Sequence, residues 1–118
     1  MQIDIQFRGI DASQTVREHA ERRAHFTLGR IGARIARVSI SLADVNGPKG
    51  GEDKSCTVQV SLQQPGAVVV EETGADLYQV LDRGLARAGR TVVRRLERQA
   101  RQRYASRATR PMEEAETA

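Results

Sequence analysis

The residues best suited to a chemical role in this sequence are arginines, and they are concentrated toward the C-terminus. Residues 83–110 hold ten arginines and a single acid, Glu97, so this segment carries nine positive charges. The whole chain has a formal charge of +4, so the remainder carries −5. A guanidinium group presents several donors in a planar fork that matches phosphate oxygens. The segment is therefore a candidate site for a polyanion.

The spacing of these arginines predicts one charged helix face. At about 100° per residue, six of them fall within an arc of roughly 80°, and a stripe of aliphatic residues falls on the opposite side. A surface helix with a merely solvated face usually mixes charge signs, so that neighbours four residues apart attract each other. This face repeats like charges, which favours a functional surface over a solvated one. We call the set the arginine ladder: Arg83, Arg87, Arg90, Arg94, Arg98 and Arg101.

Length and composition predict one domain with an aliphatic core. The chain has 118 residues, of which 39% are hydrophobic and only 3% aromatic. A pI near 10 points to nucleic acid or an acidic membrane surface as the partner. No apolar run is long enough for a membrane span, and the N-terminus lacks the pattern of a secretory signal. Cys56 is the only cysteine, so we expect no internal disulfide and a cytoplasmic location.

No pattern of residues indicates catalysis or metal binding. His19 and His25 are six residues apart and therefore fall on different faces of a helix. The glycine-rich stretch at 47–55 departs from a phosphate-binding loop, because Asp53 precedes Lys54 and a strand follows. We therefore predict a protein that is not an enzyme, with no cofactor, no metal and no small-molecule substrate.

The elements that position the ladder follow from the hydrophobic pattern. Apolar and polar residues alternate in three predicted strands, over residues 2–8, 35–42 and 54–63, and a short fourth strand spans residues 67–70. In the second strand the alternation predicts that Ala36, Val38, Ile40 and Leu42 face inward. One helix is predicted after Gly9, with a stripe of small apolar residues, and a second from about residue 73 to Tyr104. Residues 105–118 contain a proline and three glutamates and are predicted to be a disordered, acidic-ended tail after a domain of residues 1–104.

The predicted order β-α-β-β-β-α indicates an α+β fold. A right-handed crossover through the first helix makes the first two strands parallel, and the last three strands form an antiparallel meander. Each strand has one apolar and one polar face, so both helices should cover the same side of the sheet. The expected architecture is a two-layer sandwich with a four-stranded mixed sheet.

Aromatic residues are too few to suggest binding by base stacking. Single-strand binders stack bases on aromatic rings, and this chain has only Phe7, Phe26, Tyr78 and Tyr104. Phe7 is predicted to face inward, and Tyr78 lies at the start of a core helix. Binding through phosphates and shape, as on folded RNA, fits the sequence better.

The sequence resembles the short ribosome hibernation-promoting and ribosome-associated inhibitor proteins of bacteria, over roughly residues 1–98. The most specific match is Asp76, Leu77 and Tyr78, which correspond to the Asp-Met-Tyr opening of the last helix in that family. Residues 68–70 also fit. Basic positions of the two helices match as well: Arg17, His19, Arg23, Arg87, Arg90 and Arg94.

The resemblance implies a domain similar to a double-stranded-RNA-binding fold that binds small-subunit rRNA near the decoding region. Such a protein would inhibit translation and promote hibernation under stress, with the small ribosomal subunit as its partner. The acidic tail resembles that of the short inhibitor branch. Together with the ladder, the resemblance predicts these RNA-binding residues: Arg17, Arg23, Arg83, Arg87, Arg90, Arg94 and Arg98.

Two other classes of protein fit the residues considered alone. One is a generic RNA- or DNA-binding domain without a ribosomal role, which the ladder would serve equally well. The other is a protein-interaction or membrane-surface module that uses the basic helix against acidic partners.

Overall fold

Four strands and two long helices follow one another in the predicted order. The computed structural model describes residues 1–44 and 54–117, with side chains as far as Ala105; the glycine-rich stretch of residues 46–51 lies outside the described part. The elements are β1 (Gln2–Arg8), α1 (Gln14–Leu28), a short 3₁₀ helix (Gly29–Arg34), β2 (Ile35–Asp44), β3 (Lys54–Leu62), β4 (Ala67–Gly74) and α2 (Leu77–Thr117).

The sheet has the predicted mixed topology. Its strand order is β1-β2-β3-β4. β1 pairs parallel with β2, while the β2–β3 and β3–β4 pairs are antiparallel. Both helices pack on the same face, α1 beside α2 and α2 over β3 and β4. The α+β two-layer sandwich is therefore confirmed.

The core between the two layers is aliphatic, as the composition predicts. Leu28, Ile40, Leu81 and Leu85 are among its largest fully buried side chains. The helix α1 contributes mainly small residues to this core, so α2 supplies much of the apolar surface that covers the sheet. The orientation of α2 is thereby determined, and its opposite face is left to solvent.

Two glycines allow α2 to approach its neighbours closely. A Cβ atom added at Gly84 would lie 3.3 Å from the Cys56 sulfur of β3, and one added at Gly89 would lie 3.1 Å from the Thr27 methyl of α1. Glycine weakens a helix by about 1 kcal/mol relative to alanine. Here the absent side chains let the helix fit closely against both the sheet and α1.

The start of β2 departs from the predicted alternation. Ile35 is fully buried and Ala36 is exposed, so the prediction that Ala36 faces inward is wrong. The register with β3 shifts between Ile35 and Arg37. A bulge of this kind adds one residue to a strand and reverses the facing of the residues before it.

The helix α2 is longer than the sequence pattern predicts. It ends at Thr117, whereas the hydrophobic period ends near Tyr104 and an irregular tail was expected to follow. Several alanines and glutamates in this segment have high helix propensity. The division into a domain of residues 1–104 and a separate tail stays a prediction.

Candidate nucleic-acid interface

The arginine ladder occupies the exposed face of α2. Arg83, Arg87, Arg90, Arg94 and Arg98 are all exposed, as is Arg101. The residues on the opposite side of the same helix are fully buried: Leu81, Leu85, Ala88 and Val92. The helix therefore has the charge separation that its sequence period predicts.

The first two arginines of the ladder are bound to the edge strand β4. Arg83 Nη2 donates a 2.9 Å hydrogen bond to the carbonyl oxygen of Thr73. Arg87 Nη1 lies 3.4 Å from the Glu71 carbonyl oxygen and 3.4 Å from Glu72 Oε1. Because β4 ends the sheet, the backbone groups on its outer side have no neighbouring strand. The two guanidinium groups donate hydrogen bonds to two of the backbone carbonyl oxygens along that edge.

The later arginines of the ladder remain free to bind a ligand. Within the part of the chain whose side chains are described, Arg90, Arg98 and Arg101 have no hydrogen-bond or ion-pair partner. Arg94 Nη2 makes one contact of 3.4 Å, to Thr91 Oγ1 of the same helix. Unneutralised guanidinium groups in register along one helix face suit the phosphates of a nucleic acid backbone.

Arg17 lies away from the ladder. Its Nη1 atom is 3.4 Å from the Ile5 carbonyl oxygen, and its guanidinium carbon is 5.3 Å from the centre of the Phe7 ring. Both partners belong to β1, at the opposite edge of the sheet from β4. The Arg17 side chain therefore follows the surface of β1, and its role in RNA binding stays a prediction.

Arg23 belongs to a cluster that joins the two helices. Its Nε atom is 3.3 Å from Asp82 Oδ1, and His19 Nε2 is 2.9 Å from the same oxygen. The His19 ring also meets the Tyr78 ring edge-on, with centroids 4.9 Å apart. The Asp82 carboxylate is shared by these two side chains of α1 and holds them against α2. Arg23 therefore contacts α2 through Asp82, on a different side of the helix from Arg83 and Arg87.

The structure exposes aromatic side chains that sequence reasoning did not place on the surface. Phe26 is 77% exposed, Tyr104 is 78% exposed and Tyr78 is 39% exposed. Phe26 lies between the buried residues Ala24 and Leu28 in sequence, so it falls off their stripe at helical spacing. That offset was the signal available in the sequence. The prediction that binding depends on phosphates and shape rather than stacking stays a prediction, and Phe26 is an exposed ring that it did not consider.

The strand side chains on the uncovered face of the sheet carry balanced charges. Its side chains form rows across the four strands, such as Asp4, Ser39, Gln59 and Val69. On this face Arg8 and Arg37 are balanced by two acids, and Arg37 Nε is paired with Asp4 Oδ2 at 3.3 Å. A balanced, hydroxyl-rich surface attracts a polyanion much less than the helical side does.

Nothing in the described residues indicates a metal or redox site. No group of three or more histidines, cysteines or acids could hold a metal ion among residues 1–44 and 54–105. Burial, reinforced by the nearby Glu72 carboxylate, raises the pKa of the Cys56 thiol to about 12. A thiol held in its neutral form is a poor nucleophile. No helix in the described part of the chain is long and apolar enough to cross a membrane.

Comparisons with known proteins agree with this architecture. The model of a family described as sigma 54 modulation protein / S30EA ribosomal protein matches residues 3–100. A ribosomal subunit interface protein from Coxiella burnetii is similar in structure, with a TM-score of 0.68 and 19% identity over 82% of this chain and 99% of that one. The Protein Y N-terminal domain of Thermus thermophilus has a TM-score of 0.63 and 23% identity, over 80% and 98% of the two chains. Among curated proteins, no sequence match is found.

Proposed function

The chain belongs to the sigma 54 modulation protein / S30EA ribosomal protein family, which includes the ribosome hibernation-promoting factors, and from this premise we propose that it binds the small ribosomal subunit. It contacts rRNA near the decoding region, where it blocks translation and favours hibernation under stress. It acts in the cytoplasm as a binding protein and catalyses no reaction.

The observation that carries this proposal is the row of exposed guanidinium groups on α2 that have no acidic partner among the described side chains. Arg90, Arg94 and Arg98 lie on one face of a helix whose other face is anchored in the core. Such an arrangement binds phosphates at defined spacing without reading base sequence. Folded rRNA presents phosphates in a fixed three-dimensional pattern, which a rigid helix can match.

The contrast between the two sides of the molecule supports an oriented contact. The helical side carries the ladder, while charges on the open face of the sheet cancel. The description of the Coxiella burnetii relative as a ribosomal subunit interface protein supports the ribosome as the partner. A generic RNA-binding domain would show the same ladder, so a binding experiment is needed to distinguish it from a ribosome-binding protein.

Co-sedimentation with purified small subunits tests the proposal. Binding is measured over a series of salt concentrations and compared with a free RNA duplex and with vesicles containing anionic lipid. We expect the subunit to be bound more tightly than the duplex at every salt concentration, and the vesicles least. Equal affinity for subunit and duplex would favour a generic RNA-binding domain. Preferential retention by vesicles would indicate a membrane-surface module.

Inhibition is tested separately in a cell-free translation reaction. Adding the protein in excess over ribosomes should reduce protein synthesis, because the decoding region can then no longer accept tRNA and mRNA. A protein that binds subunits without reducing synthesis would contradict the inhibitory part of the proposal and leave the binding part intact.

A further inference from the structure

Phe26 is a large aromatic side chain held at the surface of α1, with 77% of it exposed. Single exposed apolar residues are common on proteins and need no explanation by themselves. The surroundings of Phe26 distinguish it from Val69 and Tyr78, which are also exposed. Val69 lies on the open face of the sheet, where the charges of the strand residues balance, and the Tyr78 ring is already in contact with His19.

A chain of contacts connects the Phe26 ring to α2. The Arg23 guanidinium carbon lies 5.1 Å from the ring centroid, a distance at which a cation is attracted to an aromatic face. Arg23 is in turn paired with Asp82 of α2. The ring is therefore supported by a cation that is itself anchored, which reduces the entropy lost when a ligand stacks on it.

Two arginines without partners lie close to Phe26 along the chain. Arg22 and Arg30 flank Phe26 along the chain, and neither has an ion-pair or hydrogen-bond partner among the described side chains. The next residue, Thr27, is in contact with α2 at Gly89, so Phe26 lies near the turn of α2 that carries Arg90. An exposed ring among free guanidinium groups is the combination that binds an unstacked base together with its phosphates.

We propose that Phe26 is a stacking platform for an unpaired base of the bound RNA, with Arg23 positioning the ring. This inference rests on the proposed function and makes it more specific, because it requires RNA with a base turned out of the helix, such as a loop or bulge. A continuous duplex offers no free base face. The interface then combines phosphate contacts from the ladder with one base contact from α1.

Tryptophan fluorescence tests this contact directly, since the chain contains no tryptophan. Phe26→Trp would place a single fluorophore at the proposed platform. Val69→Trp is the matched control, because Val69 is 63% exposed on the opposite side of the sheet. The probes are an RNA hairpin with a single-stranded loop and a blunt duplex with the same number of phosphates. Stacking predicts quenching of the residue 26 emission by the hairpin, weaker quenching by the duplex, and no change for the control.

Affinity measurements supply the second readout. Phe26→Ala should weaken hairpin and subunit binding by about tenfold or more, while Phe26→Tyr should retain most of the affinity. The dependence of affinity on salt should stay the same for Phe26→Ala, since no phosphate contact is lost. Unchanged binding by Phe26→Ala, or equal quenching at residues 26 and 69, would overturn the inference.

If Phe26→Ala binds subunits normally and ladder variants do not, the inference fails and the proposed function stands. If the unaltered chain binds hairpin RNA but not subunits, the proposed function fails, and quenching at residue 26 still decides whether the ring stacks.

Discussion

Arg83 Nη2 donates a 2.9 Å hydrogen bond to the carbonyl oxygen of Thr73, so the first arginine of the ladder holds the backbone of the edge strand β4. Arg87 reaches the Glu71 carbonyl oxygen of the same strand. Arg90, at the next position of the ladder, has no partner in the described part of the chain. The ladder is thus divided into arginines that secure the fold and arginines available to a ligand.

Arg83 and Arg87, which we call the tethered pair because both are hydrogen-bonded to β4, should protect the edge of the sheet. Replacing Arg83 and Arg87 together with Gln should lower stability by about 1 kcal/mol or less, because both side chains are exposed. It should also promote self-association, since an unprotected edge strand can pair with another chain. Thermal melts and sedimentation velocity measure the two effects. The matched control is Arg98→Gln with Arg101→Gln, which removes equal charge from unpaired positions. Self-association of the control to the same extent would contradict the role of the tethered pair.

The facing of β3 should determine which substitutions unfold the domain. Val58 and Val60 are fully buried, so Val58→Asp and Val60→Asp would each bury a charge without a partner, at a cost comparable to the whole stability of a domain. Gln59 is exposed between them, and Gln59→Asp should fold normally. Circular dichroism melts of the three variants make the comparison. A folded Val58→Asp beside an unfolded Gln59→Asp would mean that the strand faces the other way.

Asp82 should link the two helices electrostatically. Its oxygen is shared by His19 and Arg23, so Asp82→Asn leaves two basic groups together without their common partner. We expect a loss of about 0.5 to 1 kcal/mol at low salt, which shrinks as salt is added because these groups are partly exposed. Urea denaturation at two salt concentrations provides the measurement. Glu97→Gln removes the same charge from an exposed position of α2 and should leave stability unchanged. An equal loss of stability in Glu97→Gln would mean that only the net charge of the protein matters.

The buried thiol should make stability fall at alkaline pH. Burial raises the pKa of Cys56 from 9.0 to about 12, so above pH 9.0 the unfolded chain loses a proton that the folded chain keeps. The contribution of the thiol is therefore present in full below pH 9.0 and is lost as pH rises toward about 12. Stability of the unaltered chain should fall more steeply than that of Cys56→Ala, by up to about 1.4 kcal/mol per pH unit. Parallel pH profiles from urea denaturation would contradict this assignment.

Features governed by local alternation could be predicted from the sequence, and features governed by tertiary contacts could not. The period of β3 and the apolar stripe of α2 correctly identify Val58 and Leu85 as buried. The bulge beside Ala36 is invisible to alternation, because it depends on pairing with β3. The direction of a long side chain is harder still to predict from sequence. Sequence places Arg17 on α1, but only the packing of α1 on β1 shows that its guanidinium group turns toward Phe7.

The separation of the ladder into two parts also depends on the sheet. Nothing in the spacing of Arg83 and Arg87 shows that β4 is the edge strand beside them and offers its carbonyl oxygens. The exposure of Phe26, by contrast, could have been found from its offset from Ala24 and Leu28.

The central claim is that the free arginines of the ladder contact rRNA phosphates, and the salt dependence of subunit binding tests it most directly. Replacing Arg90, Arg94 and Arg98 together with Gln keeps helix propensity nearly unchanged. The matched control replaces the same number of arginines nearer the end of the sequence: Arg103, Arg107 and Arg110.

For the ladder variant we expect a normal melt, a strong loss of affinity for the small subunit, and a slope of log K against log salt that flattens by about 2 to 3. The control should keep most of its affinity and slope. Equal losses in both variants would mean that only the total charge of the helix matters. Unchanged binding by the ladder variant would contradict the account, because the exposed face of α2 would then not meet the ribosome.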